Sequence, residues 1–289
     1  MKPSKFSYLA PESVKNAIAM KQELGENARY IAGGQSLVPM MNFRVAAPSA
    51  LIDLNGLTEL SKISLSSDSA LDIGALTRTR RLENDPKITG AHPLLAAAAR
   101  HIAHAQIRNR GTIGGSIAHA DPAAELPGIV LACDAEIELQ GPRGFRTVHA
   151  VDFFESVFTT ALEEGELLLN IKFPRWPKGR KWGFQEVSRR EGDYALVGIA
   201  AWFDLDATSS ISACGLSAIG AADTPVRLTK SEAALLGSVP SLPLFEKAAA
   251  EVTADIDPFD DVHASAIYRC EVAAALAIRT LTEAWERDT

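Results

Sequence analysis

Two short loops with paired glycines constrain this chain more than any other feature: Ala32-Gly33-Gly34-Gln35-Ser36 and Thr112-Ile113-Gly114-Gly115-Ser116. Glycine reaches backbone angles with φ > 0 and lets a ligand approach the main chain, because it has no Cβ. The N–H groups of such loops can converge on an anion, and the neighbouring hydroxyls add short donors. Taken alone, either loop is more often an ordinary turn. If both bind one ligand, the fold must bring them together, and a ligand with two linked phosphates would suit them.

Composition excludes several other classes of protein. A chain of 289 residues that is 47% hydrophobic and 22% charged is typical of a globular protein with a large core. The net charge of −7 argues against a nucleic-acid binder, which needs a basic surface. No apolar run approaches the ~20 residues of a membrane span, and the first residues lack the apolar core of a signal peptide. We therefore expect a cytoplasmic protein.

Cysteine and histidine spacing gives no sign of a metal centre. Cys133, Cys214 and Cys270 stand apart from one another, so we expect buried thiols and no iron–sulfur cluster on this chain. His101 and His104 are the one close histidine pair, and packed or solvated helix histidines are the favoured interpretation. The glycine loops also match neither the Gly-x-Gly-x-x-Gly nor the Gly-Lys-Ser/Thr pattern, which argues against a Rossmann NAD site and a Walker-type NTPase.

The hydrophobic pattern divides the chain into three segments. Residues 1–57 predict a small βαβ-like unit, with the first glycine loop after its second strand. Residues 58–177 predict a mixed α/β sheet unit that includes a helix from Pro122 to Cys133 and ends at a turn-rich stretch. Residues 178–289 predict three antiparallel strands followed by a bundle of helices. The expected fold class is therefore α+β.

The wider sequences around the loops carry a family resemblance. The segments Tyr30–Arg44 and Gln106–Pro127 resemble the FAD-binding medium subunit of the molybdenum hydroxylases, the family of carbon monoxide dehydrogenase and xanthine dehydrogenase. The likeness runs from the Phe6–Val14 opening to the Tyr268-Arg269 helix. It implies that the first two segments form a two-part FAD-binding domain and that the third is a C-terminal flavoprotein domain.

The resemblance also implies which residues bind FAD. The two glycine loops would hold the pyrophosphate, and a carboxylate, an aromatic ring and apolar side chains would contact the rest of the cofactor. No side chain is expected to be catalytic and none to bind a metal. The implied cofactor-binding residues are Ala32, Gly33, Gly34, Gln35, Ser36, Leu37, Ile102, Thr112, Ile113, Gly114, Gly115, Ser116, Glu125, Leu168, Gln185 and Tyr194.

Several of these residues have a second interpretation. Glu125 is expected to face a ribose or ribityl hydroxyl, or else to be a solvated helix acid, while Asp121 is expected to cap the helix beginning at Pro122. Tyr194 would stack on the flavin ring or lie in the core. Gln185 stands near a position where relatives often carry Lys. Arg108 and Arg110 would add positive potential near the phosphates or form surface ion pairs, and valine at Gly33 or Gly114 is expected to occupy the phosphate space and leave the fold largely intact.

The implied function is electron transfer. FAD on this chain would take electrons from 2Fe–2S clusters on a small subunit and pass them to an external acceptor, while a large subunit with a molybdenum–pterin cofactor oxidises the substrate. The complex would be a dimer of heterotrimers, and substrate choice would belong to the large subunit. Two alternatives stay open: a stand-alone FAD-dependent oxidoreductase on the same scaffold, and a scaffold subunit without flavin.

Overall fold

Three main β-sheets follow one another along the chain, and each takes its strands from one of the three predicted segments. The computed structural model describes residues 1–287. The first unit consists of β1 (Ser7–Leu9), α1 (Val14–Leu24), β2 (Ala28–Ile31), α2 (Leu37–Asn42) and β3 (Ala50–Asp53). Its sheet is parallel with the order β1-β3-β2, which agrees with the predicted βαβ-like unit.

The second unit is an antiparallel sheet with helices inserted after its second strand. Its sheet order is that of the fourth, fifth, tenth, sixth and seventh strands of the chain, and a two-stranded hairpin stands beside it. The elements are β4 (Ile63–Leu65), β5 (Leu71–Gly74), α3 (Thr79–Asn84), α4 (Pro86–Ala91), α5 (Pro93–His101), α6 (Ala105–Arg108), α7 (Ile113–His119), α8 (Glu125–Ala132), β6 (Glu136–Gly141), β7 (Gly144–His149), β8 (Phe154–Ser156), β9 (Thr159–Thr160) and β10 (Leu167–Phe173).

The third unit is an antiparallel sheet covered on one face by helices. Its elements are β11 (Lys181–Ser188), β12 (Ala195–Leu205), β13 (Ile211–Ile219), β14 (Val226–Arg227), α9 (Thr229–Leu235), α10 (Leu242–Ala250) and α11 (Ala266–Glu286). The α+β architecture is confirmed, with one difference: the sheet has four strands instead of three. β14 pairs with β13 through only two residues, too short a segment for a strand pattern to be recognised in sequence.

Helix α8 joins the second and third units. All eight of its residues are buried, because it packs between α5 on one side and β12 and β13 on the other. Its terminal carbonyls accept hydrogen bonds from the third unit: Trp202 Nε1 donates to Ala132 O at 2.7 Å, and the Arg227 guanidinium donates to Leu131 O at 2.8 Å. One continuous hydrophobic cluster therefore crosses from one unit to the other.

Strand β11 sends alternate side chains to two different cores. Phe184 belongs to the cluster shared with the second unit, whereas Val187 packs against the cluster under α11. On the α11 side the strand comes very close to the helix, since a Cβ added at Gly183 would lie 2.4 Å from Thr280 O. This alternation decides which of the predicted residues on β11 can face the second unit.

The longest helix that the structure describes is α11, with 21 residues. Buried small and apolar residues on one face pack it against β11 and β12, while charged residues occupy the other face. Among residues 1–287, no helix combines the length and the apolar character that crossing a bilayer requires.

Candidate functional site

The two glycine loops lie in direct contact, as predicted. A Cβ added at Gly33 would be 2.3 Å from Arg110 O and 2.8 Å from Gly111 Cα, in the two residues just before the second loop, and a Cβ added at Gly115 of that loop would be 3.9 Å from Ala32 Cβ of the first. The Arg78 guanidinium also donates to Arg110 O, and it donates to Asn55 Oδ1 of the first unit at 2.6 Å. Glycine is therefore required at position 33 by the contact between the loops.

The first loop presents unpaired main-chain donors. Gly34 has φ +70°, which turns the chain into α2, and the Gln35 side chain donates back to Gly33 O at 2.9 Å. Within residues 1–287, no protein acceptor is paired with the main-chain N–H of Gly34, Gln35 or Ser36. These N–H groups precede the first turn of α2, where the helix dipole also favours a negative charge.

The second loop differs from the first, because its N–H groups already have partners. Gly114 donates to Ala75 O at 2.9 Å, Gly115 to the Thr112 hydroxyl at 3.2 Å, and Ser116 to Thr112 O at 3.1 Å. Thr112 is thus the N-cap of α7. The expectation of a second cluster of free N–H donors is wrong. This loop instead offers a side-chain-free surface, the dipole of α7 and the hydroxyl protons of Thr112 and Ser116.

Valine at Gly33 or Gly114 would clash with the protein itself and not only with a phosphate group. A Cβ at Gly114 would lie 2.5 Å from Ala75 Cβ, just as a Cβ at Gly33 would meet the Arg110 carbonyl. A valine at either position therefore meets protein before it reaches any ligand. We expect such variants to disturb the packing of the loops, and the fold is not expected to be left intact.

Both loops open on a large cavity bounded by all three units. Its volume is about 1250 Å³. Its lining includes Tyr30 from the first unit, Ile102 and Phe158 from the second and Tyr194 from the third. The part lined by Glu125, Tyr194 and Arg269 is called here the C-terminal end. The glycine loops also border the cavity, so an elongated ligand could extend from them along it.

Nearly all of the predicted cofactor-binding residues line this cavity. They are Ala32, Gly33, Gly34, Gln35, Ser36, Leu37, Ile102, Thr112, Gly114, Gly115, Ser116, Glu125, Leu168 and Tyr194. Their contacts with a cofactor stay a prediction. At the C-terminal end, Tyr194 is 57% exposed. The interpretation of Tyr194 as a core residue is therefore excluded.

Two predicted residues do not line the cavity. Ile113 is fully buried at the start of α7, and its N–H donates to Thr77 O at 3.1 Å. Gln185 points to the α11 side of β11, where its Nε2 donates to Glu283 Oε2 at 3.1 Å. The physical reason is strand alternation: Gln185 faces the opposite side from Phe184, which packs against the second unit.

Glu125 is a buried acid rather than a solvated one. It is the first residue of α8 and is only 5% exposed. Burial, and then the neighbouring Glu186, raise the pKa of Glu125 to about 8, so this carboxyl holds a proton at neutral pH and can donate a hydrogen bond. The prediction that Asp121 caps a helix beginning at Pro122 is wrong. Helix α8 begins only after Ala124, and the Asp121 carboxylate instead accepts a hydrogen bond from Ala123 N at 3.0 Å.

The raised pKa of Glu125 predicts a pH-dependent stability. The folded state binds this proton more tightly than the unfolded state, so the stabilisation is complete below the ordinary pKa of 4.5 and is lost as the pH rises through about 8. Relative to Glu125→Gln, the free energy of unfolding should therefore fall by more than about 1 kcal/mol between pH 5 and pH 8. Urea unfolding of both proteins at the two pH values measures this difference, and parallel pH curves would contradict it.

Arg108 forms an ion pair within the protein, which was the alternative to a role near the phosphates. Its Nε lies 3.1 Å from Glu83 Oε2, and its guanidinium also donates to the carbonyls of Ile102 and Ala103 at 2.9 Å each. It therefore fixes the segment that leads into the second loop. Arg110 contributes its carbonyl to the contact with Gly33, and neither arginine side chain is among the residues that line the cavity.

The sequence reasoning missed Arg269, a buried cation at the C-terminal end of the cavity. It is 4% exposed, its guanidinium donates to Leu196 O and to Gly220 O, and it pairs with Asp261 at 2.8 Å. A signal was available, because Arg269 lies four residues before Ala273 on the buried face of α11. A charge on an apolar helix face indicates a specific partner.

Cys133 and Cys214 are buried as expected, whereas Cys270 is only partly buried. Burial raises the pKa of Cys133 and of Cys214 to about 12, which keeps both protonated. In the part of the chain that the structure describes, no cluster of three or more His, Cys, Asp or Glu side chains could hold a metal ion. His101 and His104 belong to different elements, the end of α5 and the residue before α6.

Comparison with known proteins agrees with this geometry. Residues 4–176 match the family model described as the FAD binding domain in molybdopterin dehydrogenase. Residues 182–284 match the CO dehydrogenase flavoprotein C-terminal domain. The predicted division of the chain at residues 57 and 177 stays a prediction.

Individual relatives match over almost their whole length. The chain is 41% identical to the 6-hydroxypseudooxynicotine dehydrogenase complex subunit alpha of Paenarthrobacter nicotinovorans, covering 99% of this chain and 97% of the relative. It is 37% identical to the carbon monoxide dehydrogenase medium chain of Hydrogenophaga pseudoflava, with 99% of each chain covered. A solved structure of the carbon monoxide dehydrogenase from H. pseudoflava superimposes with a TM-score of 0.97 at 38% identity over all of both chains. Quinoline 2-oxidoreductase from Pseudomonas putida 86 superimposes with a TM-score of 0.93 at 35% identity over 98% of each chain.

Proposed function

Because this chain belongs to the family of FAD-binding medium subunits of the molybdenum hydroxylases, we propose that it holds FAD in the central cavity and works as the electron-transfer subunit of such an oxidoreductase. The observation that carries the proposal is the direct contact of the two glycine loops beside a cavity bounded by all three units. A dinucleotide needs a place for its diphosphate with room on either side, and this arrangement offers both.

The residues present fit FAD. The N–H groups of Gly34, Gln35 and Ser36 are donors without a protein acceptor within residues 1–287, and two helices begin beside them, so a diphosphate would be held here. The glycine surface of the second loop lets that group approach closely. At the C-terminal end, Tyr194 would cover a planar ring system and Glu125, as a neutral acid, would donate a hydrogen bond. When bound, FAD accepts electrons singly and passes them on in pairs.

We further propose that the electrons come from 2Fe–2S clusters on a small partner subunit and that a large subunit carries the molybdenum–pterin cofactor. In support, the relatives are named as a medium chain or as a subunit of a complex. A 2Fe–2S cluster needs four ligands, whereas this chain has three cysteines, of which Cys133 and Cys214 are buried and protonated. Assembly as a dimer of heterotrimers and an external acceptor for the electrons belong to the same proposal.

The test is the cofactor content of the complex. Co-expression with the proposed small and large subunits, followed by purification through a tag on this chain, should yield three polypeptides. FAD should be released from this chain on denaturation, where chromatography identifies it. Iron and molybdenum should remain with the other two. A colourless chain in that complex would support the scaffold without flavin. A chain that purifies alone with FAD, and whose FAD is reduced directly by an organic substrate, would support the stand-alone oxidoreductase.

A further inference from the structure

The stretch of chain that joins the second unit to the third is strongly basic. Residues 167–185 contain five lysine or arginine residues and no aspartate or glutamate, although the chain as a whole carries a net charge of −7. Arg175 and Lys178 in this stretch are exposed, and among residues 1–287 no carboxylate is paired with either of them. The stretch therefore presents positive charge that these residues do not neutralise.

A second cavity, with a volume of about 460 Å³, opens beside this stretch. It is called here the basic cavity, and its lining includes Trp176, Lys178, Arg180, Trp182 and Arg287 but no acidic residue. The first residue of α5 also lines it, so it lies at the seam between the second and third units. It shares no lining residue with the central cavity, and a ligand bound here would not compete with FAD.

One arginine of the basic cavity is fixed on one side and open on the other. Arg180 donates through Nε and Nη2 to the two carboxylate oxygens of Asp204, at 2.9 and 2.7 Å. Its guanidinium carbon lies 3.7 Å from the centre of the Trp202 ring, close enough for a cation–π contact. The remaining nitrogen, Nη1, has no hydrogen-bond partner within residues 1–287 and is not among the buried atoms. It can therefore donate to a ligand.

Arg287 is held in the same way from the opposite element. Its Nε donates to Trp182 O at 3.0 Å, its Nη2 donates to Glu283, and its guanidinium carbon lies 3.7 Å from the centre of the Trp182 ring. Its Nη1 is also without a partner in the described part of the chain. Guanidinium groups that are already fixed lose little freedom when they bind a carboxylate, which makes such binding more favourable.

We propose that the basic cavity binds an acidic segment of a partner polypeptide, whose carboxylates accept hydrogen bonds from Arg180, Arg287 and Lys178. The inference rests on the proposed function in one respect, since the partner is another subunit of the proposed complex. Tryptophan and arginine are the residue types that most often dominate the energy of protein interfaces.

The distribution of charge favours a peptide over other anions. The exposed cations continue beyond the basic cavity to Arg175, which suits a chain with several carboxylates better than a single small ion. A nucleic acid would meet the repulsion of a chain whose net charge is −7, whereas a short acidic segment meets mainly the local positive charge.

Binding of hexaglutamate to the full chain tests the site without the other subunits. Titration calorimetry at low salt should show binding that weakens as salt is added. Lys178→Glu should weaken it by at least about tenfold, because it places a negative charge in the basic cavity. The control is Lys15→Glu in α1, which replaces another exposed cation with the same change in net charge and should bind within twofold of the wild type. Equal affinities in the two variants would overturn the proposal.

Three further titrations distinguish the other occupants. Inorganic phosphate and a thymidine hexanucleotide should each bind more weakly than hexaglutamate, and tighter binding of either would overturn the assignment to an acidic peptide. Deletion of residues 288 and 289 should leave the affinity for hexaglutamate within twofold. Binding that is tenfold tighter after this deletion would show that the end of the chain itself competes for the basic cavity, and it would also overturn the proposal.

Cross-linking of the purified complex identifies the occupant. A carbodiimide joins a lysine amine to a carboxylate in contact with it, so mass spectrometry should find Lys178 linked to an aspartate or glutamate of another subunit. Lys178→Arg should lose this link while the complex and its FAD content are retained. No link from Lys178 in an intact complex would overturn the inference and leave the proposed function standing. A chain that binds hexaglutamate through Lys178 but purifies without other subunits would overturn the proposed complex instead.

Discussion

Substitution of Gly33 by valine is expected to abolish FAD binding and to destabilise the chain by roughly 1–3 kcal/mol or more. The Cβ alone would lie 2.3 Å from Arg110 O, a distance at which one of the two loops must move. Movement of the first loop displaces the N–H groups of Gly34 and Gln35, which are the donors proposed to hold the diphosphate. Stability and cofactor binding should therefore be lost together.

Equilibrium binding of FAD and urea unfolding measure the two effects. The matched control is Gly90→Ala in α4, where an added Cβ meets nothing within 4 Å and the backbone is helical. That variant should bind FAD as the wild type does and be as stable or slightly more so, since alanine favours a helix. Normal FAD affinity in Gly33→Val would show that the contact between the loops does not position the binding site.

Replacement of Arg269 by methionine is expected to cost about 2–4 kcal/mol of stability and to weaken FAD binding at least tenfold. Methionine keeps most of the apolar volume of the side chain but leaves Leu196 O and Gly220 O without their donor. Asp261 also loses its ion pair. Because Leu196 lies two residues after Tyr194, the loss should loosen the segment that would cover the flavin ring.

Arg279→Met provides the comparison, because Arg279 lies on the exposed face of the same helix. Its free energy of unfolding and its affinity for FAD should equal those of the wild type within experimental error. Asp261→Asn should have an intermediate effect, since it removes one partner of Arg269 and leaves both carbonyl bonds. If Arg269→Met unfolds at the same urea concentration as Arg279→Met, the buried guanidinium does not hold this end of the cavity together.

Local patterns were enough to predict most of the architecture. The glycine loops, the β11–β13 strands and the long C-terminal helix each have a signature within a few residues, and the structure contains them all. The direct contact of Gly33 with Arg110 follows from no local pattern. The sequence predicted only that the two loops come together over a shared ligand, and the structure brings them together through contacts within the protein itself.

The errors share a physical cause, which is that sequence does not show what lies opposite a residue. Gln185 was expected at the cofactor, yet strand alternation turns it toward Glu283. A solvated helix acid was one of the two interpretations of Glu125, and only the packing of α8 between two units shows that it is buried and neutral. Sequence also does not show that the N–H groups of the second loop already have partners, such as Ala75 O, which accepts from Gly114 N.

Helix α8 has a consequence for how this molecule can be divided. Its sequence belongs to the FAD-binding half, but its last carbonyl is hydrogen-bonded by Trp202 and its flank is covered by β12 and β13. Excision of residues 178–289 would expose the side of α8 that β12 and β13 cover, and most of the residues on this helix are apolar. The boundary between the two family matches therefore does not separate two independent hydrophobic cores, and we expect neither half to fold stably without the other.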